Sequence, residues 1–107
     1  MVEGKVIDIV KRYLSALPEY GIRPSKAVLF GSFVCGGADE WSDIDLIVIA
    51  PELDGTRTIE QVKQLWVATE AADDRIQPIP CGEREWEEEG GRPILDIARR
   101  EGVIIAA

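Results

Sequence analysis

The chain reads as an α+β protein, a small mixed β-sheet packed by helices. Apolar residues recur at three- and four-residue spacing from Val2 to Leu17, which predicts one amphipathic helix. Two short apolar runs, KAVLF (26–30) and IDLIVIA (44–50), stop at Gly31 and Pro51, as strands do. Glycines and prolines cut the rest of the chain into further short elements.

Each element has its own signal. On the first helix Val2, Val6, Ile9, Val10, Tyr13, Leu14 and Leu17 make the apolar face. Thr58 to Ala72 repeats a helical pattern through Ile59, Val62, Leu65, Trp66 and Thr69, with Trp66 expected in the core. Arg75 to Ile79 (RIQPI) predicts a third strand, and Pro78 confines it to an edge or a bulge because proline cannot donate to the ladder. Glu83 to Glu89 is expected to be a short acidic helix with a solvated face, or a surface for a basic partner. Pro93 to Arg100 predicts a last helix with proline in its first turn, closed by Gly102, and Val103 to Ile105 a short terminal strand. No repeat, linker or low-complexity segment divides residues 1–107, so one domain is expected.

Composition narrows the function. With 20 acidic and 12 basic residues and no histidine the formal charge is −8, which opposes direct binding to duplex nucleic acid or to an anionic membrane. A polyanionic nucleotide remains acceptable where a divalent cation or a local basic partner neutralises the pocket. Charges at Glu3, Lys5, Asp8, Lys11 and Arg12 fit neither a signal peptide nor a membrane span, so a cytoplasmic location is expected. Cys35 and Cys81 stand far apart without histidine, which argues against a zinc site and for reduced thiols.

The chemistry concentrates in LFGSFVCGGADEWSDIDLIVIA, residues 29–50. Side chains alternate along a strand, so Asp43 and Asp45 project together while Ile44, Leu46 and Val48 face a core. Two such carboxylates repel one another and raise each other's pKa. A hard divalent cation relieves that repulsion, and Mg²⁺ shared between carboxylates and substrate phosphates fits; solvated side chains at a strand mouth are the alternative. Gly31 and Ser32 end the preceding strand directly. A glycine there lets backbone N–H groups approach an anion, the serine hydroxyl can donate to a phosphate, and a helical turn from Ser32 to Val34 would aim its positive end the same way. Trp41 could stack on a base or cap the sheet.

The run Gly31-Ser32, Gly36, then Ser42-Asp43-Ile44-Asp45-Leu46 resembles the signature of the DNA polymerase β-like nucleotidyltransferases, and of the minimal nucleotidyltransferases in particular. A leading helix, the signature hairpin, a helix, a third strand and Arg100 to Val103 extend the likeness along most of the chain. The resemblance implies a palm-like nucleotidyltransferase fold. It also implies a nucleoside triphosphate contacted by Gly31, Ser32 and Ser42, and Mg²⁺, with a two-ion site open, held by Asp43 and Asp45. A nucleoside monophosphate, AMP for choice, would pass to an acceptor hydroxyl as pyrophosphate leaves. Two positions depart from the family pattern. Cys35 stands where arginine is common, and Gln77 takes the place of the third carboxylate, with Asp73 and Asp74 as substitutes only if the strand slipped or as a solvated turn otherwise. The resemblance also implies a second class of function, a weak or inactive subunit that neutralises or regulates a HEPN-type helical partner as an antitoxin would, and a homo-oligomer is another way to complete so small a site.

Overall fold

The structure is a computed structural model that describes residues 4–37, 42–88 and 91–107, the side chain of Cys35 excepted. In chain order it contains α1 (Gly4–Ala16), β1 (Lys26–Phe30), α2 (Ser32–Cys35), β2 (Ile44–Ile49), α3 (Ile59–Val67), β3 (Ile76–Cys81), α4 (Glu83–Glu87), α5 (Pro93–Glu101) and β4 (Val103–Ala106). Single 3₁₀ turns follow α1 at Leu17–Tyr20, β2 at Pro51–Leu53 and α3 at Ala68–Ala71.

The four strands form one mixed sheet in the order β3-β2-β1-β4. β1 runs antiparallel to both β2 and β4, while β2 and β3 are parallel. A parallel pair needs a crossover, and α3 supplies it between β2 and β3. β3 lies at the edge, as Pro78 requires.

Both faces of the sheet are covered. On one face Ala27, Leu29, Ile44, Leu46, Val48 and Ile76 pack with Val6, Val10, Tyr13 and Leu14 of α1 and with Leu65 of α3. On the other, Val28, Phe30, Ile47, Ile49 and Cys81 pack with Trp86 of α4 and with Leu95 and Ala98 of α5. This explains why residues 46–50 read as a continuous apolar run rather than an alternation, since a strand buried on both sides needs apolar side chains on both. Tyr13 is fully buried, and its hydroxyl donates to the Leu65 carbonyl at 2.7 Å, which ties α1 to α3 across the first core.

The boundaries differ from expectation in instructive ways. Thr58 lies outside α3 as its cap: its hydroxyl accepts from Gln61 N at 3.1 Å, and Gln61 Oε1 accepts from Thr58 N at 2.9 Å. Trp66, expected in the core, is 44% exposed, because the inward side of α3 is taken by Leu65 and a helix turns about 100° between neighbours. The acidic segment is corrected only at two positions, since Glu87 and Glu88 are exposed as expected. Trp86 is only 9% exposed, and the Glu85 carboxylate is held by Arg57 and by Arg92, whose Nε is 3.1 Å away. Against the upward push of its partial burial, the hydrogen bond from Gly82 N–H and those two guanidiniums hold Glu85 below the ordinary carboxylate range, so the Glu85 side of α4 is tied down.

Candidate active site

The phosphate-grade turn and the carboxylates meet at one end of the sheet. In the β1–β2 ladder Phe30 is the partner of Asp45, so Gly31, the next residue, leaves β1 beside that carboxylate. In the β2–β3 ladder Asp45 is the partner of Gln77. Three adjacent strands thus bring Gly31, Asp45 and Gln77 side by side. The strand register needs no slip to place Gln77 there.

Gly31 is the tightest point. Its φ of 81° and ψ of −152° lie in a region essentially open to glycine alone. A Cβ at this position would collide with Asp45 Oδ2 and lie 3.2 Å from Asp45 Cγ. The backbone turns at once into α2, in which Val34 N donates to the Gly31 carbonyl at 3.0 Å and Gly36 N to the Ser32 carbonyl at 3.0 Å. Ser32 is half-buried at the start of that turn. The single helical turn expected after Gly31 is therefore present, one residue longer than Ser32 to Val34.

Asp43 is exposed just ahead of β2, and Ser42 before it is half-buried. Asp45 is half-buried inside β2, where Ile44 and Leu46 on either side belong to the first core. Partial burial, reinforced by the negative charge of Asp43, raises the Asp45 carboxyl above its ordinary value. Such a carboxylate is poised for a cation. Asp43, Asp45 and Gln77 come to this end of the sheet, Gln77 as the ladder partner of Asp45; carboxylate and amide oxygens are of the hard kind Mg²⁺ takes, and two carboxylates suffice for an ion that also binds phosphates. Among the described residues no group of three or more His, Cys, Asp or Glu side chains is placed to hold a metal.

Asp73 and Asp74 do not replace it. Asp73 forms the turn that leads into β3: its Oδ1 accepts from Arg75 N at 2.8 Å, and the Arg75 guanidinium forks onto both carboxylate oxygens, with Nη2 2.9 Å from Oδ2. The hydrogen bond from Arg75 holds the Asp73 carboxyl below its ordinary value. Asp74 is exposed in the same turn. Arg75 is the residue of this region that the sequence did not single out. Its Cζ lies 6.0 Å from the centre of the Phe33 ring, next to Ser32. The spacing Asp-x-Arg was the available signal, but only folding brings it to Phe33. Trp41 and the Cys35 side chain, with the roles weighed for them, lie outside the described residues.

At the far end of β3 the second cysteine, Cys81, is a free, buried thiol, pushed up to about 11 chiefly by burial. Among the described residues no helix is long and apolar enough to cross a membrane.

Comparison with known proteins bears on the fold and the family. No curated protein matches the chain. Among solved structures, a candidate nucleotidyltransferase from Sulfolobus solfataricus superposes with a TM-score of 0.57 at 16% identity, over 94% of this chain and 75% of that one, which shows a shared fold. The family model of the nucleotidyltransferase domain matches residues 5–93, a span that contains the turn, the carboxylates and Gln77. The chain belongs to the nucleotidyltransferase domain family.

Proposed function

We propose that the chain, as one nucleotidyltransferase domain over residues 1–107, binds a nucleoside triphosphate with Mg²⁺ and transfers the nucleoside monophosphate, AMP by preference, to an acceptor hydroxyl. The observation that carries this is the contact of Gly31 with Asp45, because it sets a turn suited to phosphate against a carboxylate suited to a cation. Gly31 leaves no side chain between the two. Ser32 and Ser42 offer hydroxyls to phosphate oxygens, and Asp43 and Asp45 would hold the ion, singly or as a pair of ions. When bound, the ion screens the phosphates from the carboxylates and stabilises charge on the α-phosphate as pyrophosphate leaves. Holding the triphosphate between a fixed turn and a fixed strand orients the α-phosphate for in-line attack.

Gln77 favours a second reading. An amide can lend its carbonyl oxygen to an ion but carries no charge and takes no proton from an attacking hydroxyl. A domain with this substitution can keep nucleotide binding while transfer is weak or lost, and then serves as a subunit that binds and regulates a HEPN-type helical partner. An acceptor site completed by that partner or by a second copy suits either reading.

The test is calorimetric titration of MgATP into the wild type and into the double variant Asp43→Ala with Asp45→Ala. Binding by the wild type and its loss in the double variant supports the site, and equal binding by both refutes it. ATP labelled at the α-phosphate, incubated with the wild type alone and with candidate acceptors, separates the two readings by whether label is transferred.

A further inference from the structure

We infer that Arg75 is the cation that receives the phosphate chain of the nucleotide, and that Asp73 holds its guanidinium in position beside the site. The inference rests on the nucleotide-binding reading above and adds to it a residue outside the signature.

A triphosphate brought to Asp43 and Asp45 adds negative charge to negative charge, in a chain whose formal charge is already −8. A positive side chain beside the phosphates relieves what a metal ion leaves over, and arginine suits the task because its planar fork matches phosphate oxygens as it matches a carboxylate. Arg75 starts from the head of the site. Its carbonyl accepts from Ile44 N at 2.9 Å, which fixes its backbone next to the Asp43–Ile44 link at the head of β2. Its guanidinium reaches the Phe33 ring, one residue past Ser32. Arg75 therefore touches both halves of the site, its backbone carbonyl on the carboxylate strand and its guanidinium on Phe33 of the phosphate turn.

The head is also preorganised. Nε lies 3.1 and 3.2 Å from the two Asp73 oxygens and Nη2 2.9 Å from Oδ2, within a turn whose backbone is itself bonded to Asp73. The side chain is 27% exposed, so it is both held and accessible. A guanidinium ordered before the ligand arrives loses little freedom on binding. Phosphate oxygens present the same fork as Asp73, and the two compete for Arg75. Removing the charge of Asp73 while keeping its oxygen for the turn should therefore strengthen binding.

The experiment titrates MgATP and, separately, sodium tripolyphosphate into the wild type, Arg75→Ala, Arg75→Lys and Asp73→Asn, with thermal melts of each. Loss of a charge-assisted contact to phosphate should weaken both ligands roughly tenfold or more in Arg75→Ala. Lysine keeps the charge without the fork and should recover part of that loss, which a purely structural role for Arg75 would not give, and Asp73→Asn should bind more tightly than the wild type. Affinity of Arg75→Ala within about twofold of the wild type overturns the inference while leaving the nucleotide site standing. If Arg75→Ala does not fold, Arg75→Lys and Asp73→Asn decide, and wild-type affinity in both overturns it. A wild type that binds neither ligand overturns the nucleotide-binding reading itself, and the role of Arg75 with it.

Discussion

Replacing Gly31 with alanine tests the site and the fold together. At φ 81° and ψ −152° a side chain is strained whatever the surroundings, at a cost of order 1–3 kcal/mol. Here the new Cβ also lands on Asp45 Oδ2, so either the turn or the carboxylate must move. For a domain near 100 residues each kcal/mol lowers Tm by roughly 4–8 °C, so a drop of at least that size is expected. The displaced Asp45 should cost MgATP affinity as well. Gly21 is the control: its φ of 87° is also left-handed, but nothing lies within 4 Å of its Cβ position. Gly21→Ala should therefore lose about 1–2 kcal/mol of stability from strain and leave MgATP binding as it was. Scanning calorimetry gives the first quantity and isothermal titration the second. A Gly31→Ala protein that melts within about 1 °C of the wild type and binds MgATP equally well would refute the close approach of turn and carboxylate.

Other consequences follow from the same geometry. The Asp45 carboxyl is raised by burial and by Asp43, so its folded pKa lies above its unfolded one. The stability it contributes is present below the unfolded pKa and declines as pH rises through the folded value. Asp45→Asn should thus raise Tm at neutral pH without ligand and give no gain near pH 3, and a lower Tm at neutral pH would contradict the sign. Gln77→Glu places a third carboxylate next to Asp45; divalent-ion affinity should rise, Tm without metal should fall, and any nucleotidyl transfer should increase. Unchanged metal affinity would show that residue 77 does not face the ion. Tyr13→Phe leaves the buried Leu65 carbonyl without its hydroxyl partner and should cost about 1–2 kcal/mol in chemical denaturation, with no effect on MgATP binding.

Glu85 illustrates why surface patterns mislead. Its run of acidic residues reads as a solvated face, yet the side chain accepts from Arg57 and Arg92, two residues 28 and 7 positions away. Trp66 errs the other way. It fits the helical period of its segment, but the period fixes only a stripe, and which edge of the stripe is inward depends on how α3 settles over the first core.

Local chemistry alone was enough for much of the molecule. The 3.6-residue period of α1, the β-branched run of β2, proline at the edge strand and glycine at the turn each follow from interactions between near neighbours in the chain, and those rules do not need the fold. The pairing of Gly31-Ser32 with Asp43 and Asp45 was legible for the same reason, since a short connection between strands brings its own ends together. The partner of Asp45 across the parallel ladder, the fork of Arg75 near Phe33 and the burial of Trp86 depend on residues distant in sequence. Only the register of packed strands and the closing of two cores decide them, because a contact between remote residues is determined by the sum of all the packing and not by the residues that make it.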